Sequence, residues 1–461
     1  MRRLTESAMK TLLLVMLAAF LPASAGFAQE TTPPAEPAPA EPPPPPPPPP
    51  ETEQLDARAY YRLGVAAYQR KDYLGFLENM KKAHDLAPDS PLMIYNFAAA
   101  SALVGNKDDA LGSLRRLADM KIFMDAAGDA DFDSVREAPE FKAAVERMRT
   151  LKTRVGASVP AFTLTQKDLI TEGLAFDPES GDFFVSSVRQ RKILRVNKKG
   201  KASDFTASKQ DGLWAVLGLK VDAPRRALWA CSSSLPQMLD GTPEEPALGA
   251  LFQYDLGTGA LKSKYPLAGG APGHSCNDLT VGARGDVYVS DDRGGQVLLL
   301  PAGGQELGVF IEPGTLRAPQ GLAFSADESL LFVADYGHGV SRIDIKTRAV
   351  TDLPHPADLC LLGVDGLVGW KGSLLAIQNG ITPHRVIRLE LSPSGDAVVS
   401  GRILEMSNAL FDEPTLGVAS GKYLYYIANS QWSRFDRDGK IFPLNRLAEP
   451  VVMKVEPDAA R

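Results

Sequence analysis

Cysteine is scarce in this chain: Cys231, Cys276 and Cys360 are the three in 461 residues. So small and odd a number makes no disulfide framework, allows at most one internal bridge and fits no zinc-binding spacing. The expectation is three buried, small apolar side chains. After residue 28 no apolar run is long enough to cross a bilayer, which excludes a later transmembrane helix. Basic stripes are also missing. The formal net charge is -6; residues 1–28 carry a net +2, so the remainder stands at -8. An acidic chain without a basic face lacks the phosphate-neutralising term that drives nucleic-acid binding. Neither Ser186-Ser187 nor Ser232 to Ser234 sits in the Gly-x-Ser-x-Gly setting of a hydrolase nucleophile, and no glycine-rich phosphate loop is present. With 44% apolar and 23% charged residues, the composition is that of a globular protein of two or three domains.

What is present starts with an export signal over 1–28: Arg2, Arg3 and Lys10, then an apolar core from Leu12 to Leu21, then small residues at Ala23, Ala25 and Ala28. Cleavage is expected after Ala28, with Ala25 as the alternative. The mature protein is then periplasmic or secreted, and its low cysteine content suits the periplasm. With no cysteine near the cut, lipid anchoring is not expected. Residues 29–55 form a proline-rich linker ending in nine consecutive prolines, Pro42 to Pro50. Such a run favours polyproline II, and from Pro33 to Pro50 it spans roughly 55 Å at about 3.1 Å per residue.

Residues 56–152 read as a helical domain. Tyr60, Leu63, Gly64, Ala83 and Pro88 stand at the spacing of a tetratricopeptide repeat. Ala98, Ala110 and Leu114 mark a weaker second unit, and Asp131 to Arg149, with Ala138-Pro139 near its start, a closing helix. Phe76 occupies a position where the repeat expects a small residue. Arrays of this kind bind peptides or partner domains; the alternative is that the helices simply pack on the neighbouring domain.

Over 160–456 the pattern becomes short β-rich runs between Gly, Asp and Pro turns. Six units superimpose, opening at Glu172-Gly173-Leu174, Leu217-Gly218-Leu219, Asn277-Asp278-Leu279, Gln320-Gly321-Leu322, Asp365-Gly366-Leu367 and Leu416-Gly417-Val418. Each has a second strand roughly ten residues later, as in Phe183 to Val185 and Tyr425 to Ile427. This predicts an all-β, six-bladed propeller with four-stranded blades, preceded by a small all-α domain. In a propeller the first strand of every blade lines the axis, so the residue before each opening Gly or Asp belongs to one ring. Four ring members are polar: Glu172, Asn277, Gln320 and Asp365. Two carboxylates and two carboxamides make an oxygen-rich, negative site, which hard cations prefer, although polar channel residues also serve ordered water and backbone groups. Ser186, Asp291, Asp335, Asn379 and Asn429 form a second layer. His274 lies three residues before Asn277 and is a candidate proton carrier; His338 and His384 fall in loops.

Glu172-Gly173, Asn277-Asp278, Pro319-Gln320-Gly321-Leu322 and Asp365-Gly366 together resemble the blade openings of the regucalcin/gluconolactonase family of propellers, over residues 165–455. The resemblance implies a divalent metal held by Glu172, the Gln320 position and Asp365, with Asn277 as a further ligand or substrate contact. Calcium is the first expectation, with magnesium, manganese or zinc as alternatives. It also implies hydrolysis of a small-molecule lactone or ester. Gln320 departs from the family's asparagine and carries its amide one C–C bond further out. Two functions follow as expectations. One is a metal-dependent lactonase or esterase with Asp365 as general base and His274 as second candidate. The other is a non-enzymatic propeller that binds a ligand, or a protein partner through its helices.

Overall fold

The protein is described here by a computed structural model covering residues 55–242, 246–436 and 439–459. The export signal and nearly all of the proline-rich linker lie outside these residues.

The helical region holds α1 (Ala57–Gln69), α2 (Tyr73–Leu86), α3 (Pro91–Leu103), α4 (Lys107–Asp119) and α5 (Pro139–Thr150). Asp56 caps α1 by accepting from the Ala59 backbone N–H, and Asp72 caps α2 through Gly75. Phe76, the residue out of pattern, is buried and meets the Tyr68 ring edge-on at 5.1 Å. The expected helix from Asp131 is shorter than read. Residues 130–132 form a 3-10 turn, and α5 begins at Pro139, whose ring suits a first helical turn where no N–H is needed.

The helices share one core with the propeller. Cys360, on the connection into the fifth blade, and Ile381 of that blade lie in the same buried cluster as Leu114, Leu117 and Phe141. Arg385, 1% exposed, crosses the junction. It donates to Gln378 Oε1 at 2.6 Å and to the carbonyls of Met120 and Cys360, each at 3.2 Å. Burial lowers its guanidinium to about 10. Phe123 N–H also donates to Thr382 O at 2.7 Å.

The rest is a six-bladed β-propeller. Blade 1 comprises β3 (Thr171–Asp177), β4 (Asp182–Ser187), β5 (Lys192–Val196) and β6 (Ala202–Asp204). Blades 2, 3 and 4 are likewise four-stranded antiparallel meanders, over Ala215–Pro266, Leu279–Ile311 and Pro319–Asp352. Blade 5 (Val364–Met406) gains a short fifth strand, β1 (Val155–Gly156). Blade 6 has three strands from 417–455, and β2 (Val159–Thr163) supplies the fourth by pairing with the last strand of the chain, Val451–Val455. The start and end of the domain thus close the ring in one sheet, removing a free edge.

The repeated opening glycine has a steric cause. The inner strands converge so closely that a Cβ on Gly173 would stand 2.2 Å from the Leu217 carbonyl oxygen, and one on Gly321 2.5 Å from that of Asp365. Blade 3 is the exception, with Asp278 in that place. Its carboxylate accepts from the backbone N–H groups of Leu279 and of Leu322 in the next blade.

The cysteines correct the expectation. Cys231 and Cys276 are joined by a disulfide with Cα atoms 4.9 Å apart, and only Cys360 is a free buried thiol. The bridge ties the second strand of blade 2 to the residue before Asn277.

Candidate functional site: the acidic mouth of the channel

Of the four polar ring residues, Asn277 and Gln320 touch. Asn277 Nδ2 donates to Gln320 Oε1 at 3.0 Å. Glu172 and Asp365, both 8% exposed, lie close enough for the charge of Asp365 to act on Glu172. Each acid is held by one neighbour: Trp432 Nε1–H donates to Glu172 Oε2 at 2.7 Å, and Asn379 Nδ2 donates to Asp365 Oδ2 at 2.7 Å. The Asn379 carbonyl in turn accepts from the Tyr336 hydroxyl at 2.8 Å.

Electrostatics here run one way. Burial, then the charge of Asp365, pushes the Glu172 carboxyl far above its usual range. Asp365 is pushed up to about 7 and Asp278 to about 6, with burial the leading cause in both. Glu413 is raised as well, again mainly by burial. The negative charge of Asp365, Glu413 and Glu172 also holds the Tyr336 hydroxyl well above its ordinary value, after burial. Among the described residues neither Glu172 nor Asp365 has a Lys, Arg or His in ion-pair contact. Buried carboxyls without a counter-charge either take up protons or hold a cation.

Oxygen donors suit a hard divalent cation, and the uncompensated acids fit one. Among the described residues no three His, Cys, Asp or Glu side chains form a ligating cluster. The ring supplies two acids, so a cation there depends on the Asn277 and Gln320 carbonyl oxygens as well.

The second layer divides by role. Ser186 Oγ accepts from Gly173 N–H at 2.6 Å, Asp335 accepts from Arg317 and Ala318 N–H at 2.9 and 2.7 Å, and Asn429 Oδ1 accepts from Val451 N–H at 2.7 Å. Ser186 and Asp335 fix the starts of blades 1 and 4, and Asn429 fixes the start of the last strand of blade 6. Asn379 alone reaches a ring acid. Asp291 holds His274: His274 Nδ1 and Asp291 Oδ2 are 2.6 Å apart. His338 is tied to Asp352 at 2.9 Å on the exposed outer strand of blade 4, away from the ring. His384 is half-buried, with burial lowering its pKa, and its Nδ1 has no hydrogen-bond partner.

Sequence reasoning missed Glu413, Tyr336 and Trp432 as members of the mouth. Trp432, Phe435 and Ile441 belong to the connection after the middle strand of blade 6, and they pack against the core shared by Leu217, Met238 and Leu267. This connection reaches from blade 6 across to blade 2 and places the Trp432 indole on Glu172. The available signal was Asp412-Glu413, two acids just before the Leu416-Gly417 opening.

The fold and site define the class: a six-bladed propeller with a buried acidic channel mouth. No family model matches the chain, and no curated protein matches it in sequence. Among solved structures it is similar to a gluconolactonase from Xanthomonas campestris (18% identity, TM-score 0.43, 66% of this chain and 100% of that one). It is also similar to the calcium-binding protein regucalcin from Agrobacterium tumefaciens (16%, 0.46, 64% and 95%) and to a luciferin-regenerating enzyme (15%, 0.44, 65% and 94%). The propeller assignment rests on the six sheets described above.

Proposed function

We propose that this chain binds one divalent cation, calcium first, at Glu172, Asn277, Gln320 and Asp365, and hydrolyses a small lactone or ester there. The observation that carries this reading is the pair of buried, uncompensated carboxyls at Glu172 and Asp365. A bound cation supplies carbonyl polarisation and lowers the pKa of water. The chain's own residues do the rest. Trp432 and Asn379 orient the two acids, Tyr336 fixes Asn379, and the buried walls keep bulk water from screening the site. Asp365 and Glu172 hold the cation, and the proton of the attacking water goes to a base beside the ring, for which His274 is the candidate. The Cys231–Cys276 bridge supports export, since such bonds persist in oxidising compartments.

A second reading, ligand binding without turnover, is favoured by the Asn277–Gln320 hydrogen bond, which spends one Gln320 acceptor site inside the ring. Within it the helical hairpins serve as a peptide-binding array. Turnover of a panel of lactones and aryl esters, with and without chelator, separates the two. The hydrolase reading requires chelator-sensitive activity that Asp365→Ala abolishes. Inactivity of the wild type across the panel, with a cation still raising its melting temperature, selects the binding reading.

A further inference from the structure

We propose that Asp291 is a positioning residue that locks His274 in one tautomer, leaving its Nε2 as the basic nitrogen that takes a proton from attacking water. This rests on the hydrolase reading above and deepens it.

Asp291 is fully buried, and all its acceptor capacity is committed. Oδ1 accepts from the backbone N–H of Ser275 at 2.9 Å and of Gly294 at 3.0 Å. Oδ2 accepts from Gln296 Nε2 at 2.7 Å and faces His274 Nδ1 at 2.6 Å. A carboxylate has only acceptors to offer, so Nδ1 carries the hydrogen. Gln296 points an N–H2 group at the same oxygen and stands 3.2 Å from Nδ1, so it offers the ring no competing acceptor there. Nε2 is therefore the unprotonated nitrogen of the neutral ring, and the side chain keeps 21% of its surface exposed.

Here a wholly buried carboxylate with two backbone anchors fixes a partly exposed imidazole, the arrangement that orients a general base. A chain of contacts links it to the ring: Ser275, the next residue, donates its hydroxyl to Asp292, which also bonds the Asn277 side chain, and Asn277 reaches Gln320. In the step, Nε2 takes a proton from water as the water oxygen bonds the carbonyl carbon and the C=O electron pair moves to oxygen. Collapse breaks the ester C–O bond, and the imidazolium returns the proton to the leaving oxygen.

The test is the isosteric Asp291→Asn variant. Its oxygen stays on the two backbone N–H groups, its amide nitrogen turns to His274, and Gln296 rotates its carbonyl oxygen onto that nitrogen, so Nδ1 meets a donor and the hydrogen moves to Nε2. Long-range proton–nitrogen NMR of labelled protein, assigned with His274→Gln, should show the Nδ1–H form in the wild type and Nε2–H in Asp291→Asn. On whichever lactone or ester the wild type turns over, kcat should fall about a hundredfold or more in both variants, with the calcium-induced shift in melting temperature unchanged. A wild-type Nε2–H tautomer, an unswitched Asp291→Asn, or full kcat in His274→Gln overturns the proposal. A wild type inactive on every substrate overturns the hydrolase reading instead, and the tautomer measurement still decides the positioning claim.

Discussion

Replacing Asp278 with asparagine tests the electrostatics of the channel in the cation-free protein. Asp278 is buried, and its carboxyl is raised from 3.8 to about 6 chiefly by burial; Lys220 and the N–H groups of Leu279 and Leu322 pull the other way. In the unfolded chain it titrates near ~3.9. Between the two values the native protein holds a proton that the unfolded chain has released. Stability therefore falls as pH rises from about 4 to about 6 and stays lowered above that, because the unfolded state binds fewer protons in that window. About two pKa units correspond to about 3 kcal/mol. Asp278→Asn keeps an oxygen for a backbone N–H and removes the titration, so the variant gains on the wild type by about that amount between pH 4 and pH 8. Urea unfolding in chelator across that range, with equal slopes for both proteins, measures it. The difference should be larger still if removing this charge also relieves Glu172 and Asp365, which both feel it. Parallel stability profiles for the two proteins would refute the reasoning.

Other perturbations have equally direct outcomes. Cys231→Ser with Cys276→Ser opens a loop with a sequence separation of 45, and chain entropy puts the loss at about 4 kcal/mol in oxidised protein; chemical denaturation gives the value, and no loss would mean the bridge does not constrain the unfolded chain. Arg385→Met leaves the Met120 carbonyl and Gln378 Oε1 without their donor, while the Cys360 carbonyl keeps Gln378 Nε2, costing about 2–4 kcal/mol; hydrogen exchange should then rise in α4 and blade 5 before the other blades. Gly173→Ala places a Cβ 2.2 Å from a backbone oxygen of the next blade and should cost about 3 kcal/mol or prevent ring closure, read as a lowered melting temperature or insoluble protein.

The propeller was legible because its constraint repeats. A glycine recurs in five of the six openings, in four of them because a Cβ would strike the start of the next blade, and that recurrence marks the blades and, one residue earlier, the ring. Glu172 and Asp365 were therefore findable although 193 positions apart. Trp432, Tyr336 and Glu413 were not, since they come from connections whose course no period encodes. The disulfide lay between: Cys231 sits on the second strand of one blade and Cys276 just before the opening of the next, so superposing adjacent units would have made them neighbours. Ala138-Pro139 marked the start of α5, and only the stretch from Asp131 to Glu137, read into the same helix, folds otherwise, beginning with a 3-10 turn. The junction through Arg385 was invisible for another reason: a lone arginine in a strand pattern gives no hint that one of its partners is the Met120 carbonyl of the helical region.

The central claim is that Glu172, Asn277, Gln320 and Asp365 hold one cation between them. Calorimetric titration of calcium into chelator-stripped protein tests it most directly, with Glu172→Gln/Asp365→Asn beside the wild type. One ion bound per wild-type chain and none by the double variant is the expected result. Equal binding by both, or none by the wild type, would contradict it.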